Sequence, residues 1–182
     1  MQLGAFEQSW LSRIRWIIVI DRIPIRVRPM LALLVPIPFH RPGWVFEEKY
    51  DGIRILAYKE GAKVTLLSRN DLDRTATFTD IAAAIGQLRD RTVILDGEVV
   101  AFDSKGVSRF QLLQRGDVQQ RFAVFDCVYR NGRDLRLEPL SRRRQELEAA
   151  LGHPNEQILL SHRLAQNGLA AYRIAKRKGF EG

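Results

Sequence analysis

The stretch EEKYDGIR, Glu47 to Arg54, sets a lysine among three carboxylates and follows it with a glycine and an arginine. A lysine amine attacks an electrophile only when deprotonated. That state requires desolvation or neighbouring positive charge, and a bound divalent cation can supply the charge. Covalent catalysis through Lys49 is one reading of the stretch. The other is a surface ion-pair array, in which each pair contributes about 0 to 1 kcal/mol. Read as extended strand, the stretch places Lys49, Asp51 and Ile53 on one face and Glu48, Tyr50 and Gly52 on the other. Gly52 can then bend the ladder and carry Arg54 toward Lys49.

The elements that must position this lysine begin at Trp44. WVFEEKYDGIRILAYKEG and AKVTLLSRN read as strands joined at the Glu60-Gly61 turn. FTDIAAAIGQLRD has helical spacing at Phe78, Ile81, Ile85 and Leu88, with Thr77 or Thr79 as its cap. TVILDGEVVAFD is a strand pair or one long bent strand, in which Gly97 marks a bulge or a close backbone approach. SRFQLLQR is a short helix, RFAVFDCVY a buried strand, and NGRDL a hairpin turn with an Asn-Gly signal. PLSRRRQELEAALG predicts a helix between Pro139 and Gly152, QILLSHR a strand, and LAQNGLAAYRIAKRKG an amphipathic helix running into Gly179. Before Trp44, the prolines of RPMLALLVPIPFHRPGW exclude a continuous helix or central strand, so this segment is expected to wrap on a core. Residues 1–28 read as an N-terminal extension without an assigned role, although IDRIPIRVR alternates Ile or Val with Arg as a half-covered strand would. The expected fold class is α+β, mostly antiparallel sheets with interspersed helices.

Composition narrows the function classes. At 182 residues and 46% apolar the chain suits one domain with a core. A net charge of +8, mostly from arginine, fits either a polyanionic partner or a basic solvated surface. Cys127 is the single cysteine, so no intrachain disulfide or zinc-finger spacing is available, a reducing cytoplasm is compatible, and its apolar setting reads as core. PMLALLVPIPF falls short of the roughly 20 residues of a membrane span. The apolar run in RIRWIIVIDR is shorter than a signal-peptide core of about 7 to 15 residues. Neither anchor nor export signal is expected. His40, His153 and His162 lack metal-ligand spacing. Arg142 to Arg144 read as a solvated helix face. On pattern alone Phe125 is a core residue, Glu98 a hairpin carboxylate or a functional one, and Arg69 a turn cation or a functional one.

KYDGIR matches the K-x-D-G-x-R motif of nucleotidyltransferases, and PGWVFEEKYDGIR resembles the adenylation domain of bacterial ATP-dependent DNA ligases of the end-joining type. LLSRN, LDGEVVAFD, FAVFDCVY and GFEG resemble that family's following blocks, in the family's order, across Pro29 to Gly182. The resemblance implies an ATP-grasp-like nucleotidyltransferase domain at 29–182, with 1–28 outside it. It implies that Lys49 attacks the α-phosphorus of ATP, expels pyrophosphate and holds AMP through a phosphoramide bond. Glu47 would meet the adenine edge, Arg54 the nucleotide or a nick's terminal phosphate, and Arg69 the ribose. Glu98 would bind the ribose hydroxyls, and Phe125 would stack on adenine. Glu181, with Glu98, would support Mg²⁺, a hard cation suited to phosphoryl oxygens.

The partner implied is nicked or broken duplex DNA, held through its phosphates without regard to sequence and sensitively to salt. Other end-joining proteins would be further partners, in a cytoplasmic, nucleoid-associated setting without a membrane. The family's K-x-x-K block and OB-fold domain, which follow the Glu181 block, do not occur in the sequence. The resemblance thus implies a domain incomplete at its C-terminus, with little or no adenylation activity alone. Two further readings stay open: an inactive remnant that only binds nucleotide or DNA, and an RNA ligase or capping-type nucleotidyltransferase, which shares K-x-D-G-x-R.

Overall fold

The computed structural model describes residues 23, 24, 26–116, 118–152 and 155–181; most of the 1–28 extension and His153 lie outside them. The elements run β1 (Phe46–Glu47), β2 (Ile53–Glu60), β3 (Lys63–Ser68), α1 (Thr79–Gly86), β4 (Thr92–Ala101), α2 (Phe110–Arg115), β5 (Gln120–Arg130), β6 (Arg133–Asp134), α3 (Leu140–Leu151), β7 (Ile158–Leu160), β8 (Arg163–Ala165) and α4 (Gly168–Lys178). β4, buried along almost its whole length, takes the centre of the main sheet, whose order is β3-β2-β4-β5-β6, with β7 parallel to β5 on the edge that β6 also uses. All other pairings in this sheet are antiparallel. β1 and β8 form a separate antiparallel pair. This is the α+β class expected.

One face of the main sheet carries the larger core. Ile55, Leu66, Val93, Leu95, Val99, Phe122, Val124 and Cys127 meet Phe78, Ile81 and Ile85 of the α1 region and Leu147 and Ala150 of α3. Each large side chain buried here contributes about 1.5 to 3 kcal/mol. Gly97 is needed in this layer: a Cβ would stand 2.6 Å from both the Ala123 carbonyl oxygen and the Phe122 ring. Cys127 lies in this core, and burial pushes its thiol up to about 12.

Bulges decide what the opposite face presents. The β4–β5 register slips between Ile94 and Leu95 and between Asp96 and Gly97, so that Val128 and Phe125 are extra residues in β5. Each extra residue reverses the alternation that follows it. Phe125 and Asp126 therefore both face away from the larger core, as do Val128 and Tyr129, which join Leu56, Ile94, Ile23 and Val27 in a second buried cluster. At the other end of this face Tyr50 packs on Val100 and Ala123. Polar residues occupy the strip between the two apolar patches.

Several expectations are corrected. Residues 48–52 are not strand; β2 starts at Ile53. Neither Thr77 nor Thr79 caps α1, whose N-cap position is Phe78 without a side-chain cap bond. Upstream, Thr75 accepts from Leu66 N–H and its hydroxyl donates to Asp73, an arrangement that shapes the turn without any helix cap. QILLSHR breaks at Ser161-His162 into β7 and β8. The proline-rich segment is irregular, as expected, but Met30, Leu33, Leu34 and Ile37 are largely exposed and do not wrap on the core. In the part of IDRIPIRVR that is described, Ile23 and Val27 are buried without strand pairing. Among the described residues no helix is long and apolar enough to cross a membrane.

Candidate active site

Lys49 sits in the irregular link between β1 and β2, and its neighbours hold that link at both ends. On the β1 side, Phe46 and Glu47 pair with Ala165 and Arg163, and the buried Tyr50 hydroxyl accepts from His162 N–H at 3.3 Å. On the β2 side, Asp51 accepts from Phe110 N–H at 3.1 Å, and its own N–H donates to Ser108 Oγ at 3.0 Å. Gly52 lies so close to β4 that a Cβ would stand 2.2 Å from the Val99 carbonyl oxygen. Asp51 and Gly52 thus act as the anchor of the lysine loop, in place of the shared strand face that alternation suggests. The half-exposed Lys49 side chain forms an ion pair with Glu181, which follows α4 by three residues.

Arg54 is fixed on the sheet face. Its Nε donates to Asp96 Oδ1 at 2.6 Å and its Nη2 to Oδ2 at 2.8 Å, a bidentate fork. Its guanidinium carbon stands 4.4 Å from the Phe125 ring centroid, a cation–π contact. Burial disfavours the Arg54 charge, the Asp96 bonds favour it, and its pKa ends above the usual value. Asp96 is buried, and burial raises its pKa against the pull of Arg54. Phe125 is only half-buried, since the bulge turns it out of the core position that its pattern suggested. Glu98 stands directly across the ladder from Arg54. Burial pushes its carboxyl up to about 7; Arg54 and Lys49 oppose the rise, and Asp96 and Glu181 add to it.

The structure therefore brings Lys49, Arg54, Glu98 and Glu181 into one electrostatic cluster, with Phe125 stacked on its arginine. Glu47 joins from β1: it accepts from Arg144 Nη1 at 2.9 Å, and burial raises its pKa against Arg144 and Arg163. Glu48 has a buried Oε1 without a hydrogen-bond partner, and burial pushes its carboxyl up to about 7 against the charge of Lys178. Arg69 stands apart. It is exposed in the turn one residue beyond the Ile55–Ser68 pair, across the β2–β3 ladder from Arg54. His40 uses Nδ1 to accept from Gly168 N–H at 3.3 Å, a structural task.

Two residues at the site escape the sequence reading. Asp96 carried a signal, being an acid that follows the apolar run Val93 to Leu95 in a buried strand, but its partner lies 42 residues away. Arg144 was expected on a solvated face and is instead buried, donating to Glu47, Glu148 and the Ser161 carbonyl. Arg143 likewise reaches Asp126, at 2.8 Å, and only Arg142 fits the solvated reading, pairing with Glu146 on the helix surface.

Among the described residues no group of three or more His, Cys, Asp and Glu side chains is arranged to hold a metal ion alone. Glu98 and Glu181 offer hard oxygen donors within electrostatic reach of one another. That set fits a Mg²⁺ ion, which keeps several waters and shares one or two carboxylates with substrate phosphates.

The fold that carries this cluster is that of a nucleotidyltransferase-type ligase domain, as comparison with known proteins shows. Residues 29–182 match the model of the ATP dependent DNA ligase domain, and the chain belongs to that family. It is 35% identical over 166 residues to the multifunctional non-homologous end joining protein LigD of Pseudomonas aeruginosa, which covers 88% of this chain and 20% of that protein. The SPbeta prophage-derived DNA ligase-like protein LigB of Bacillus subtilis is 31% identical over 163 residues, 86% of this chain and 58% of that one. The crystal structure of the ligase domain of M. tuberculosis LigD superposes with a TM-score of 0.68 at 31% identity, covering 76% of this chain and 46% of that one. A mycobacterial DNA ligase D solved in complex with ATP and MES gives 0.67 at 30% identity, again covering 76% and 46%. The chain thus spans between 20% and 58% of the length of these relatives.

Proposed function

We propose that this chain is the nucleotide-transfer part of a DNA ligase, in which Lys49 becomes covalently adenylated by ATP and passes AMP to a 5′-phosphate of nicked or broken duplex DNA. The observation that carries this reading is the pairing of Lys49 with Glu181 beside the Arg54, Glu98 and Phe125 strip. ATP is the nucleotide that fits, since the family is ATP-dependent and one solved relative is a complex with ATP. In the adenylation step a bond forms between Lys49 Nζ and the α-phosphorus, and the bond from that phosphorus to pyrophosphate breaks. Nζ must shed a proton for the attack, and the half-exposed amine can give it to solvent water once Glu181 releases the ion pair. Phe125 offers a ring for the base, and Glu47 faces the base edge. Glu98 serves the ribose hydroxyls, Arg69 approaches the ribose from the β3 turn, and the Arg54 donors left free by Asp96 point to phosphate. Glu98 and Glu181 would hold a Mg²⁺ ion, which would supply charge neutralisation at the substrate's phosphates.

Duplex DNA approaches along the exposed basic side of α4, where Arg173, Lys176, Arg177 and Lys178 lead toward Glu181. Such contacts bind phosphates without reading sequence. Other end-joining proteins are the natural partners of this chemistry, and the cytoplasm, where DNA and ATP coexist, is its setting. Labelling with α-phosphate-labelled ATP and Mg²⁺, in the chain extended through the family's K-x-x-K block and OB-fold domain, tests the reading: the parent and Lys63→Ala take label, and Lys49→Ala does not. Lys59 is unsuited as a control because it is buried and donates to the Asp90 carbonyl at 2.7 Å. Label persisting in Lys49→Ala overturns the proposal.

A further inference from the structure

We propose that Arg144 is a positioning residue for nucleobase selection: it holds one oxygen of the Glu47 carboxylate so that the other is presented, ionised, to the exocyclic amino edge of a purine. This rests on the nucleotide-transfer reading above. The Arg144 side chain is nine-tenths buried, with 9% exposure, and is held at three points. Nη1 donates to Glu47 Oε1 at 2.9 Å, Nη2 to the Ser161 carbonyl at 2.7 Å, and Nε to Glu148 Oε1 at 3.2 Å. A buried guanidinium is costly, and a buried pair adds little net stability over apolar packing. A purely structural α3 would gain as much from a leucine here.

The placement of the pair points to a task beyond stability. Glu47 lies two residues before Lys49 on β1, and its partner reaches it from a helix 97 residues away in sequence. The adjacent Arg143 bonds Asp126, next to Phe125. Helix α3 therefore fastens together the strand that leads to the nucleophile and the bulge that turns out the aromatic ring. Glu47 lies near enough to Asp126, the residue after Phe125, for the two charges to interact, so a base on that ring would have the Glu47 carboxylate beside it.

The charged and titratable groups facing Glu47 are Arg144 from α3, Arg163 from β8, Asp126 from β5 and the Tyr50 phenol from the following loop. Glu148 flanks the same guanidinium. Burial favours the neutral carboxyl of Glu47, and Arg144 is the first charge opposing it. Without Arg144 the carboxyl holds its proton to higher pH. An ionised carboxylate only accepts hydrogen bonds and so rejects a base that presents a carbonyl oxygen, whereas a protonated one donates as well.

Equilibrium binding of ATP and of GTP to the 182-residue chain tests this, by calorimetry at about pH 7 and about pH 9. Wild type is expected to prefer ATP at both. Arg144→Met should lose about tenfold or more in ATP affinity near neutrality, bring the ATP to GTP ratio toward one, and regain ATP preference at the alkaline pH. Arg144→Lys should retain most of the preference, and Glu47→Gln should lose it at both pH values. Arg144→Met weakening both nucleotides alike, without alkaline recovery, would mark a structural residue and overturn the inference. If Arg144→Met does not fold by circular dichroism, an unchanged ATP preference in Glu47→Gln overturns it and a lost preference supports it. Wild type binding neither nucleotide would instead overturn the nucleotide-transfer reading itself.

Discussion

Replacing Asp96 with Asn should uncover how firmly the Arg54 fork is built into the sheet. The Asp96 side chain is 7% exposed and that of Arg54 23%. Removing one partner of a buried pair leaves the other charge uncompensated and costs about 3 to 5 kcal/mol. The Arg54 guanidinium keeps some access to water and its contact with Phe125, and Asn retains one acceptor, so the expected loss is about 2 to 4 kcal/mol. For a chain of this size that is a fall in Tm of about 4 to 16 °C. Removing both charges, as Arg54→Met with Asp96→Leu, should recover most of the loss, because no buried charge remains. Thermal and urea unfolding followed by circular dichroism at neutral pH measures all three. Asp96→Asn within about 0.5 kcal/mol of wild type would refute the buried fork, that being the usual range for an uninvolved surface position.

Three other outcomes are expected. Gly52→Ala should cost about 3 kcal/mol or more in urea unfolding, because a Cβ 2.2 Å from the Val99 carbonyl oxygen forces backbone movement; Gly106→Ala, with open space and only its φ of +74° against it, should cost about 1 to 2. Glu48→Gln should leave stability unchanged near pH 4.5 and raise it by about 1 to 2 kcal/mol at alkaline pH, measured by urea unfolding across pH. The sign follows because a carboxyl raised from 4.5 to about 7 binds its proton more tightly when folded, so wild type loses stability as pH climbs through that window; the magnitude is reduced for partial exposure. Binding to nicked duplex DNA should fall steeply with added salt and vary little with sequence, and a high-salt preference for one sequence would contradict the phosphate-held reading.

Local signals carried much of the fold into the sequence. The Asn-Gly turn after β5 is present with φ of 42° at Asn131 and 86° at Gly132, and α4 is capped by Asn167 and ends at a left-handed Gly179. The motif residues gather for the same reason: Ile53 and Arg54 of KYDGIR pair with the LDGE strand, Arg54 opposite Glu98, and Lys49 to Gly52 lead directly into that pairing. What period-counting missed depended on contacts distant in sequence. Asp51 and Gly52 alternate like strand residues, but their partners, Phe110 and Val99, lie on other elements. The Phe125 bulge is set by how β5 meets β4, which neither strand's own sequence reveals. Arg144 resembles any helix-surface arginine until β1 arrives with Glu47.

The most direct measurement is peptide mass spectrometry of the chain after prolonged incubation with Mg²⁺ and saturating ATP. A small AMP adduct is expected on the peptide that carries Lys49, labile to acid as a phosphorus–nitrogen bond is, and missing from Lys49→Ala. An adduct on a different residue, or one that survives in Lys49→Ala, would contradict the assignment of Lys49 as the nucleophile.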